Sequence, residues 1–470
     1  MRILVAIANY GFKNKRFIEQ LIASYSSMPA HIDIVVLSDV PKNFSKKVEI
    51  VVGLPAKNPW SLPYAHKAIF SNRREAYDLF IYSEDDILIT WNNIKAFLDA
   101  TAILAKDECA GFLRYELDEN GNRSFPDFVG PYHWMVGSIK RIQKQIFARF
   151  SNLHSACYIL TRDQLKAAIE SGGYLVKPHE GKYDLLCSAA TDPYSKCGMT
   201  KLICISKLSD FLVHHLSNRY SKECGISEND LKRQIKAISD ENQNLYQNEL
   251  VETIKRINTY IYDKMYYDEI DKNLLSFITE KDRNILSIGC GSGATEELLV
   301  KRRQTVTAIP VDRIIAELAK SKNIEVLTPD FHRSFDMIKG QAFDCIILDD
   351  ILHHLEDPIG VLRKAIRFLK ENGKIVITLP NFFSIRNVRH SFPYPIFKRF
   401  RYKENRMTVL SLRKIRKELK RRGLVRVEMK FPIEEMKKVK VPDLWGLKKI
   451  MLCDKIYMAG SKSCAEFAEN

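Results

Sequence analysis

Short apolar runs alternate with helical patterns in both halves of the chain. In the first half, apolar runs at 2–8 and 32–39 flank a segment whose apolar residues have helical spacing, which predicts a strand–helix–strand unit. The second half repeats the alternation with apolar runs at 284–288, 305–309, 324–327, 343–348 and 374–379. Strands that alternate with helices at short spacing form parallel sheets covered on both faces. The pattern predicts an α/β fold.

The chain has 470 residues, which is longer than one ordinary hydrophobic core, so two domains are expected. From Ser217 to about Asn248 the sequence becomes polar and charged, and Ser227 begins a helix there. We therefore assign a first domain to 1–220, a helical linker to 221–255 and a second domain to 256–462.

Composition limits the classes of protein to be considered. The 46% hydrophobic and 28% charged residues are typical of a globular protein, and no apolar run reaches the roughly 20 residues needed to cross a bilayer. The run at 2–8 is shorter than a signal-peptide core and predicts a first strand. The ten cysteines include no CxxC pair, which favours a reducing cytoplasm over a disulfide framework.

The net charge of +16 is partly concentrated between residues 398 and 422, where twelve Lys and Arg side chains accompany only Glu404 and Glu418. Such a segment suits contact with anionic lipid at the inner face of a membrane, or with an anionic substrate. An ordinary solvated helix face is the alternative. Nucleic acid is a weaker candidate, because no Asn/Asp-Pro-Pro-Tyr/Phe sequence follows the fourth strand of the second half.

Three consecutive carboxylates, Glu84, Asp85 and Asp86, end an apolar strand and precede the apolar Ile87-Leu88-Ile89. Repulsion and desolvation make such a cluster costly unless a cation or hydrogen-bond donors are present. A divalent ion that bridges the carboxylates to a diphosphate would account for it. A solvated turn before the next helix is the alternative.

A strand that ends in Glu-Asp-Asp after two strand–helix units resembles the DxD-type motif of GT-A glycosyltransferases. The resemblance implies a nucleotide-sugar donor held by Mn or Mg, with Asp86 on the metal and Glu84 and Asp85 on its water or on the sugar–ribose portion. It also implies a general base, for which Glu180 and Asp184 are candidates, and a histidine that completes the metal site. His214 is our assignment, with His215 as the neighbouring choice. Ordinary loop acids and a surface histidine pair are the alternative.

The second half centres on Ser287-Ile288-Gly289-Cys290-Gly291-Ser292-Gly293, followed by a helix with acidic residues in its first turn. Further motifs follow in order: Phe343-Asp344-Cys345-Ile346-Ile347-Leu348, Leu352-His353-His354-Leu355-Glu356-Asp357-Pro358 and Gly373-Lys374-Ile375-Val376-Ile377-Thr378-Leu379-Pro380-Asn381. This ordered set resembles the class I S-adenosylmethionine (SAM)-dependent methyltransferases over about 260–430. The resemblance implies cofactor contacts at Gly289, Cys290, Gly291, Gly293, Asp330 near the adenine, and Asp349 beside the methyl donor.

Two positions depart from that family. An acid is expected at the end of the second strand to hold the ribose, and Pro310 stands there instead, with Asp312 two residues further on. Ser287 replaces the usual Asp of the first strand. His354 is a candidate base for O-methylation, and a packing role is the alternative. The helix that begins at Asp357-Pro358 is predicted to end at Asn372-Gly373.

The sequence therefore predicts a GT-A-like domain followed by a Rossmann-like methyltransferase, acting together in glycan assembly. The first domain would transfer a sugar to a glycan acceptor, and the second would methylate a hydroxyl of that glycan or its precursor. In an alternative from another class, the first domain only recognises a glycan for the methyltransferase. A nucleic-acid methyltransferase is the third hypothesis.

Overall fold

The computed structural model describes residues 1–44, 47–240, 262–267, 269–327, 331–382, 384, 407–430, 453 and 455–462. The chain divides into two compact units, Met1–Leu245 and Tyr246–Asn470. This division falls inside the predicted linker, and residues 241–255 of that linker lie outside the described residues. Within the described part of the chain, no helix is both long and apolar enough to cross a membrane.

The first unit is built on a five-stranded sheet. Its strands are β1 (Arg2–Asn9), β2 (His31–Ser38), β3 (Val48–Val52), β4 (Leu79–Glu84) and β11 (Cys157–Thr161), in the order β11-β4-β1-β2-β3. β4, β1, β2 and β3 run parallel, and β11 pairs antiparallel with β4. The strand–helix–strand opening predicted from the apolar pattern is present, with α1 (Lys15–Ser26) between β1 and β2.

Two smaller sheets extend this unit. Their strands are β5 (Ile87–Leu88), β6 (Glu108–Ala110), β7 (Leu113–Leu117), β8 (Arg123–Phe125), β9 (Trp134–Ile142), β10 (Gln145–Phe150), β12 (Thr200–Cys204), β13 (Leu212–His215) and β14 (Ile226–Ser227). The sheet orders are β6-β12-β10-β9 and β14-β8-β7-β13-β5. β13 places the histidine pair beside β5, which immediately follows the carboxylates.

The helices of the first unit cover these sheets. They are α2 (Ala65–Asn72), α3 (Trp91–Thr101), α4 (Arg162–Glu170), α5 (Leu185–Ser195) and α6 (Glu228–Ser239). Thr161 caps α4 in the predicted capping box with Gln164. Ser227 caps α6, as its sequence predicts. Gln234 of α6 accepts a hydrogen bond from Trp134 of β9, so this helix packs on the first unit.

The second unit contains one seven-stranded sheet. Its strands are β15 (Asn284–Cys290), β16 (Thr305–Pro310), β17 (Glu325–Val326), β18 (Phe343–Leu348), β19 (Leu369–Pro380), β20 (Leu424–Lys430) and β21 (Lys455–Lys462). The order is β17-β16-β15-β18-β19-β21-β20. Strand β21 runs antiparallel to both of its neighbours, β19 and β20, and the other described pairs are parallel. The helices are α7 (Lys272–Leu275), α8 (Ala294–Lys301), α9 (Ala316–Lys320), α10 (Phe331–Met337), α11 (Pro358–Ile366) and α12 (Leu412–Arg421).

The predicted end of the helix at Asn372-Gly373 is wrong. α11 ends at Ile366, and β19 already pairs at Leu369 with Phe343. Between that pair and the next, Cys345 with Lys374, the register shifts, and Asn372 adopts φ 61°. A turn residue inside an irregular strand has the same sequence signature as a helix end.

Candidate active sites

The carboxylates of the first unit lie at the carboxyl edge of its parallel sheet. Glu84 is the last residue of β4, and Asp85 and Asp86 follow it. All three line a cleft of about 1290 Å³ that also contains residues from the β1–α1 loop, the start of α5 and the segment after β13. Ligands of open α/β sheets bind at this edge, so the strand order accounts for the position of the cleft.

Asp85 is held by two asparagines that the sequence did not single out. Asn9 Nδ2 donates to Asp85 Oδ2 at 2.5 Å, and Asn14 Nδ2 donates to Oδ1 at 2.7 Å. Burial raises the pKa of Asp85 to about 6, against the lowering effect of these bonds. Lys42 Nζ donates to the Asn9 backbone O at 2.7 Å. Asp85 is therefore fixed in place, with both oxygens engaged by protein.

Asp86 lies against His215, not His214. His215 Nε2 is 3.1 Å from Asp86 Oδ2, and its Nδ1 is 2.5 Å from Glu116 Oε1. His214 instead stacks on Tyr115 with ring centroids 4.8 Å apart. Adjacent residues of a strand face opposite sides, so only one of the two histidines can reach the carboxylates. The structure does not bring His214 to the predicted site.

The His215 ring is strongly polarised by its neighbours. Burial would lower its pKa, but the hydrogen bonds with Asp86 and Glu116 raise it to about 9. For Asp86 the effects are reversed. Burial would raise its pKa, but the hydrogen bond with His215 keeps the pKa below its ordinary value. An imidazolium between two carboxylates neutralises part of the acidic cluster.

The Oε1 atom of Glu84 is shielded from water and has no hydrogen-bond partner among the residues that the structure describes. Burial, followed by the charge of Asp86, raises its pKa to about 8. Among the described residues, no group of three or more His, Cys, Asp or Glu side chains is arranged to hold a metal ion. In this arrangement, protons and hydrogen bonds stabilise the three carboxylates.

The two candidate bases differ in position. Asp184 lines the cleft and caps α5 by accepting the Cys187 N–H at 2.8 Å. Glu180 is exposed and is not among the residues that line the cleft. The structure thus brings Asp184, but not Glu180, to the carboxylates.

Cations and aromatic rings complete the cleft. Lys13, Arg16 and Arg219 line it, as do Tyr10 and Trp60. The two aromatic side chains are about half exposed, at 53% and 54%. Exposed rings beside cations suit a ligand with a planar base and phosphate groups.

In the second unit, the glycine turn packs against protein atoms. Gly289 has φ 96°, and a Cβ there would lie 2.7 Å from the Asp349 carbonyl O. A Cβ on Gly291 would lie 2.5 Å from the Tyr266 carbonyl O, which accepts the Ser292 N–H at 2.7 Å. Cys290 is buried, and Gly293 precedes α8 with φ 78°. The close approach expected for a ligand at Gly291 is made by the chain itself.

Asp349 follows β18, and two lysines that the sequence did not predict balance its negative charge. Lys264 Nζ donates to its backbone O at 2.9 Å and to Oδ2 at 2.8 Å, and Lys455 Nζ lies 3.6 Å from Oδ1. Burial would raise the pKa of Asp349, but the two ammonium groups hold it well below its usual range. Lys264 lies 85 residues from Asp349 in a segment without a recognisable motif, so nothing in the sequence pointed to it.

Asp312, the candidate substitute for the ribose acid, has a structural role in this arrangement. Its Oδ1 accepts the N–H groups of Ile314 and Ile315, both at 2.9 Å. Pro310 ends β16 and pairs with Cys290. Asp330 lies outside the described residues, so its predicted place near the adenine stays a prediction.

His354 is buried in a 3₁₀ turn (Leu352–His354), and within the described part of the second unit neither ring nitrogen has a hydrogen-bond partner. Burial, followed by the neighbouring His353, lowers its pKa well below the ordinary value. It is not among the residues that line the cleft beside the glycine turn. The structure therefore does not bring His354 to this cleft, which we call the cofactor cleft. The surroundings of His354 are those of a packing residue.

Comparison with known proteins assigns the second unit. A family described as "Methyltransferase domain" matches residues 262–428. This part of the chain is a class I SAM-dependent methyltransferase domain. The chain is 27% identical over 117 residues to a ubiquinone biosynthesis O-methyltransferase of Coxiella burnetii, covering 22% of this chain and 46% of that protein. A mitochondrial protein of the same name from Schizosaccharomyces pombe is 29% identical over 120 residues, covering 22% and 43%.

The methyltransferase domain thus matches less than half the length of these curated relatives. A solved SAM-dependent methyltransferase from Archaeoglobus fulgidus is 17% identical, with a TM-score of 0.32, and covers 39% of this chain and 87% of that one.

The cofactor cleft matches the charge of SAM but is smaller than a SAM molecule. Among the described lining residues, the charged side chains are four carboxylates and one ammonium group: Glu269, Asp271, Glu296, Asp349 and Lys455. This excess of acid suits a ligand whose sulfonium and amino groups are positive. The cleft volume of about 30 Å³ is far below the roughly 300–1,000 Å³ of small-molecule sites. A ligand of the size of SAM therefore does not fit the cleft in this arrangement of the described residues.

Proposed function

We propose that the methyltransferase domain transfers a methyl group from SAM to a hydroxyl oxygen of a small acceptor. The observation that carries this proposal is the family match over 262–428, centred on the glycine turn and the acidic cleft. Bound SAM would supply an electrophilic methyl group. Asp349 and the glycine turn would orient it, and the surrounding apolar core would exclude water. The names of the curated relatives support O-methylation.

Transfer of a labelled methyl group tests this proposal. The full chain is incubated with methyl-labelled SAM and two acceptors, a catechol and a sugar glycoside. We expect label in a product whose new methyl ether resists mild base. Absence of label in both acceptors, from a folded protein that binds SAM, would contradict O-methylation of these classes.

For the first unit we propose glycosyl transfer from a nucleotide sugar. The supporting observation is the cleft of about 1290 Å³ at the sheet edge, which combines the three carboxylates with four exposed cations and two half-exposed rings. The cations are Lys13, Arg16, Lys182 and Arg219. Because the described residues offer no group of three metal ligands, a divalent ion would be held mainly by the donor diphosphate, with Asp86 as a protein ligand, and would neutralise the leaving group. Lys13 and Arg16 would bind phosphate oxygens, Tyr10 or Trp60 would stack on the base, and Asp184 would take the acceptor proton. A glycan-recognition role is the alternative.

Titration with UDP and Mn²⁺ tests the donor site. We expect Asp86→Ala to weaken binding at least tenfold, whereas Asp99→Ala, an exposed acid on α3, leaves it unchanged. Binding of a glycan without UDP would favour the recognition module instead. Equal UDP affinity in both variants would rule out the metal assignment.

We further propose that the described part of the basic segment contacts an anionic partner. Seven Lys and Arg side chains of 411–422 are exposed: Arg413, Lys414, Arg416, Lys417, Lys420, Arg421 and Arg422. The acid of this stretch, Glu418, is buried and pairs with Arg363 and Arg422. The surface therefore has a nearly uniform positive charge, which suits a membrane with anionic lipid. Residues 398–406 lie outside the described residues.

A further inference from the structure

Residues 262–267, which we call the strap, contribute Met265 and Tyr266 to the lining of the cofactor cleft beside the glycine turn. Its Lys264 side chain is 1% exposed and donates two hydrogen bonds to Asp349, at 2.9 and 2.8 Å. Its Tyr266 carbonyl accepts the Ser292 N–H and faces Gly291 at a separation that leaves no room for a Cβ. The strap thus occupies both the acidic residue and the glycine turn.

These contacts use the groups that a cofactor needs. Asp349 is the carboxylate beside the expected methyl donor, and the Lys264 ammonium already compensates it. The Ser292 N–H at the turn is a donor for a carboxylate, and a carbonyl of the chain already accepts it. A cleft of about 30 Å³ remains. A cationic ligand therefore meets an internal cation at the same carboxylate.

We propose that the strap is an internal competitor for SAM, and that the cofactor binds only after Lys264 leaves Asp349 and Tyr266 leaves Ser292. This inference rests on the proposed methyl transfer. On binding, Asp349 exchanges one cation for another, and Lys264 moves into solvent. The affinity for SAM is then reduced by the fraction of molecules with the strap closed.

A different role for Lys264 would change the SAM affinity in the opposite direction when the side chain is removed. If its ammonium held the carboxylate of the methionine part, removal of the side chain would weaken SAM binding. If it competes, removal tightens binding. The sign of one change in affinity distinguishes the two roles.

The experiment is a calorimetric titration of the full chain with SAM. We expect Lys264→Met to lower Kd at least tenfold and Lys264→Arg to resemble the wild type. Lys301→Met is the control, because Lys301 is 66% exposed and pairs with Glu297 of its own helix. An unchanged or higher Kd in Lys264→Met would overturn the strap. Absence of SAM binding in the wild type and in all variants would overturn methyl transfer as well.

Limited trypsin digestion of the wild type gives a second test that needs no variant. Trypsin cleaves after lysine, and Lys264 is enclosed when the strap is closed. We expect saturating SAM to accelerate cleavage after Lys264, while cleavage after the exposed Lys301 stays constant. Protection of Lys264 by SAM would contradict the proposal even if Lys264→Met failed to fold.

Discussion

His214 and His215 are adjacent in β13 and make unrelated contacts, one with Tyr115 and the other with Asp86. A sequence places both near the end of a strand but does not say which side of the sheet carries the carboxylates. That side depends on how β13 pairs with β5. The carboxylates themselves were predictable, because they end an apolar run. Asn9 and Asn14 were not, because their partner Asp85 is more than seventy residues away.

The histidines provide a matched pair for the metal proposal. We expect His215→Ala to weaken binding of UDP with Mn²⁺ at least tenfold, because the substitution removes the ring that orients Asp86. His214→Ala should change the affinity less than threefold. Calorimetry of both variants measures this. A larger loss in His214→Ala would contradict the geometry.

Glu84 gives the first unit a pH-dependent stability. Its pKa rises from an ordinary 4.5 to about 8 on folding, so between these values the folded state holds a proton that the unfolded state lacks. Stability must therefore fall as pH rises through this window, by up to about 1.4 kcal/mol per pH unit. His215, whose pKa rises from 6.5 to about 9, adds a loss in the same direction between those values.

Urea denaturation at pH 5 to 8, with a chelator present, measures this dependence. We expect the free energy of unfolding of the first unit to decrease with pH, and Glu84→Gln to flatten the decrease. The comparison with Glu84→Gln isolates this carboxyl, because the buried His66, whose pKa is lowered by burial, contributes a change of the opposite sign at the acidic end of the range. The same slope in Glu84→Gln and in the wild type would show that Glu84 is ionised in the folded protein.

Ser287 stands where the resemblance to methyltransferases led us to expect Asp, and its contact in the structure favours an uncharged side chain. Its Oγ donates to Oε1 of the buried Glu296 on α8 at 2.7 Å. Burial raises the pKa of Glu296. An Asp at 287 would place two carboxylates side by side in the core.

We expect Ser287→Asp to destabilise the second unit by about 2–4 kcal/mol, because one buried carboxylate would face another. Adding Glu296→Gln should restore most of the loss, since an amide can donate to the new carboxylate. Chemical denaturation of both variants measures the effect. A Ser287→Asp protein as stable as the wild type would contradict the contact.

At the level of elements, apolar periodicity predicted the strands of both parallel sheets and most of their helices. It failed at 367–373, where Asn372-Gly373 reads as a helix end but lies in an irregular part of β19. Turn residues indicate that the chain changes direction, but they do not indicate whether this happens at the end of a helix or inside a strand. The strap is a comparable case, since its role depends on contacts with the glycine turn and with Asp349, which lies 85 residues from Lys264 in the chain.

Helix α12 packs through its apolar side chains and exposes its positively charged ones. Ile415 and Leu419 are buried, whereas Arg413, Lys417 and Lys420 are exposed. We expect a triple exchange of these three cations to Gln to leave thermal stability nearly unchanged, within about 0.5 kcal/mol. Binding to vesicles that contain anionic lipid should fall several-fold. Sedimentation with vesicles measures this, and unchanged binding would exclude the helix as the contact surface.

At the level of the whole molecule, each unit has its own core and its own cleft. The largest apolar cluster of the first unit spans residues from Ile3 to Val213, and those of the second lie between Tyr266 and Ala459. From the sequence, length led us to expect two domains, and the polar stretch after Ser217 led us to place their boundary there. The state of the cofactor cleft was not predictable, because Lys264 and Lys455 come from segments on either side of the motifs. A glycine turn with the expected sequence can therefore be covered by its own chain.

The most direct test of the methyltransferase assignment is a calorimetric titration of the full chain with SAM. We predict one site per chain, lost in Asp349→Asn and retained in Asp336→Asn, an exposed acid of the same unit that pairs with Lys339. A folded wild-type protein that binds no SAM, or an Asp349→Asn protein with undiminished affinity, would contradict the assignment.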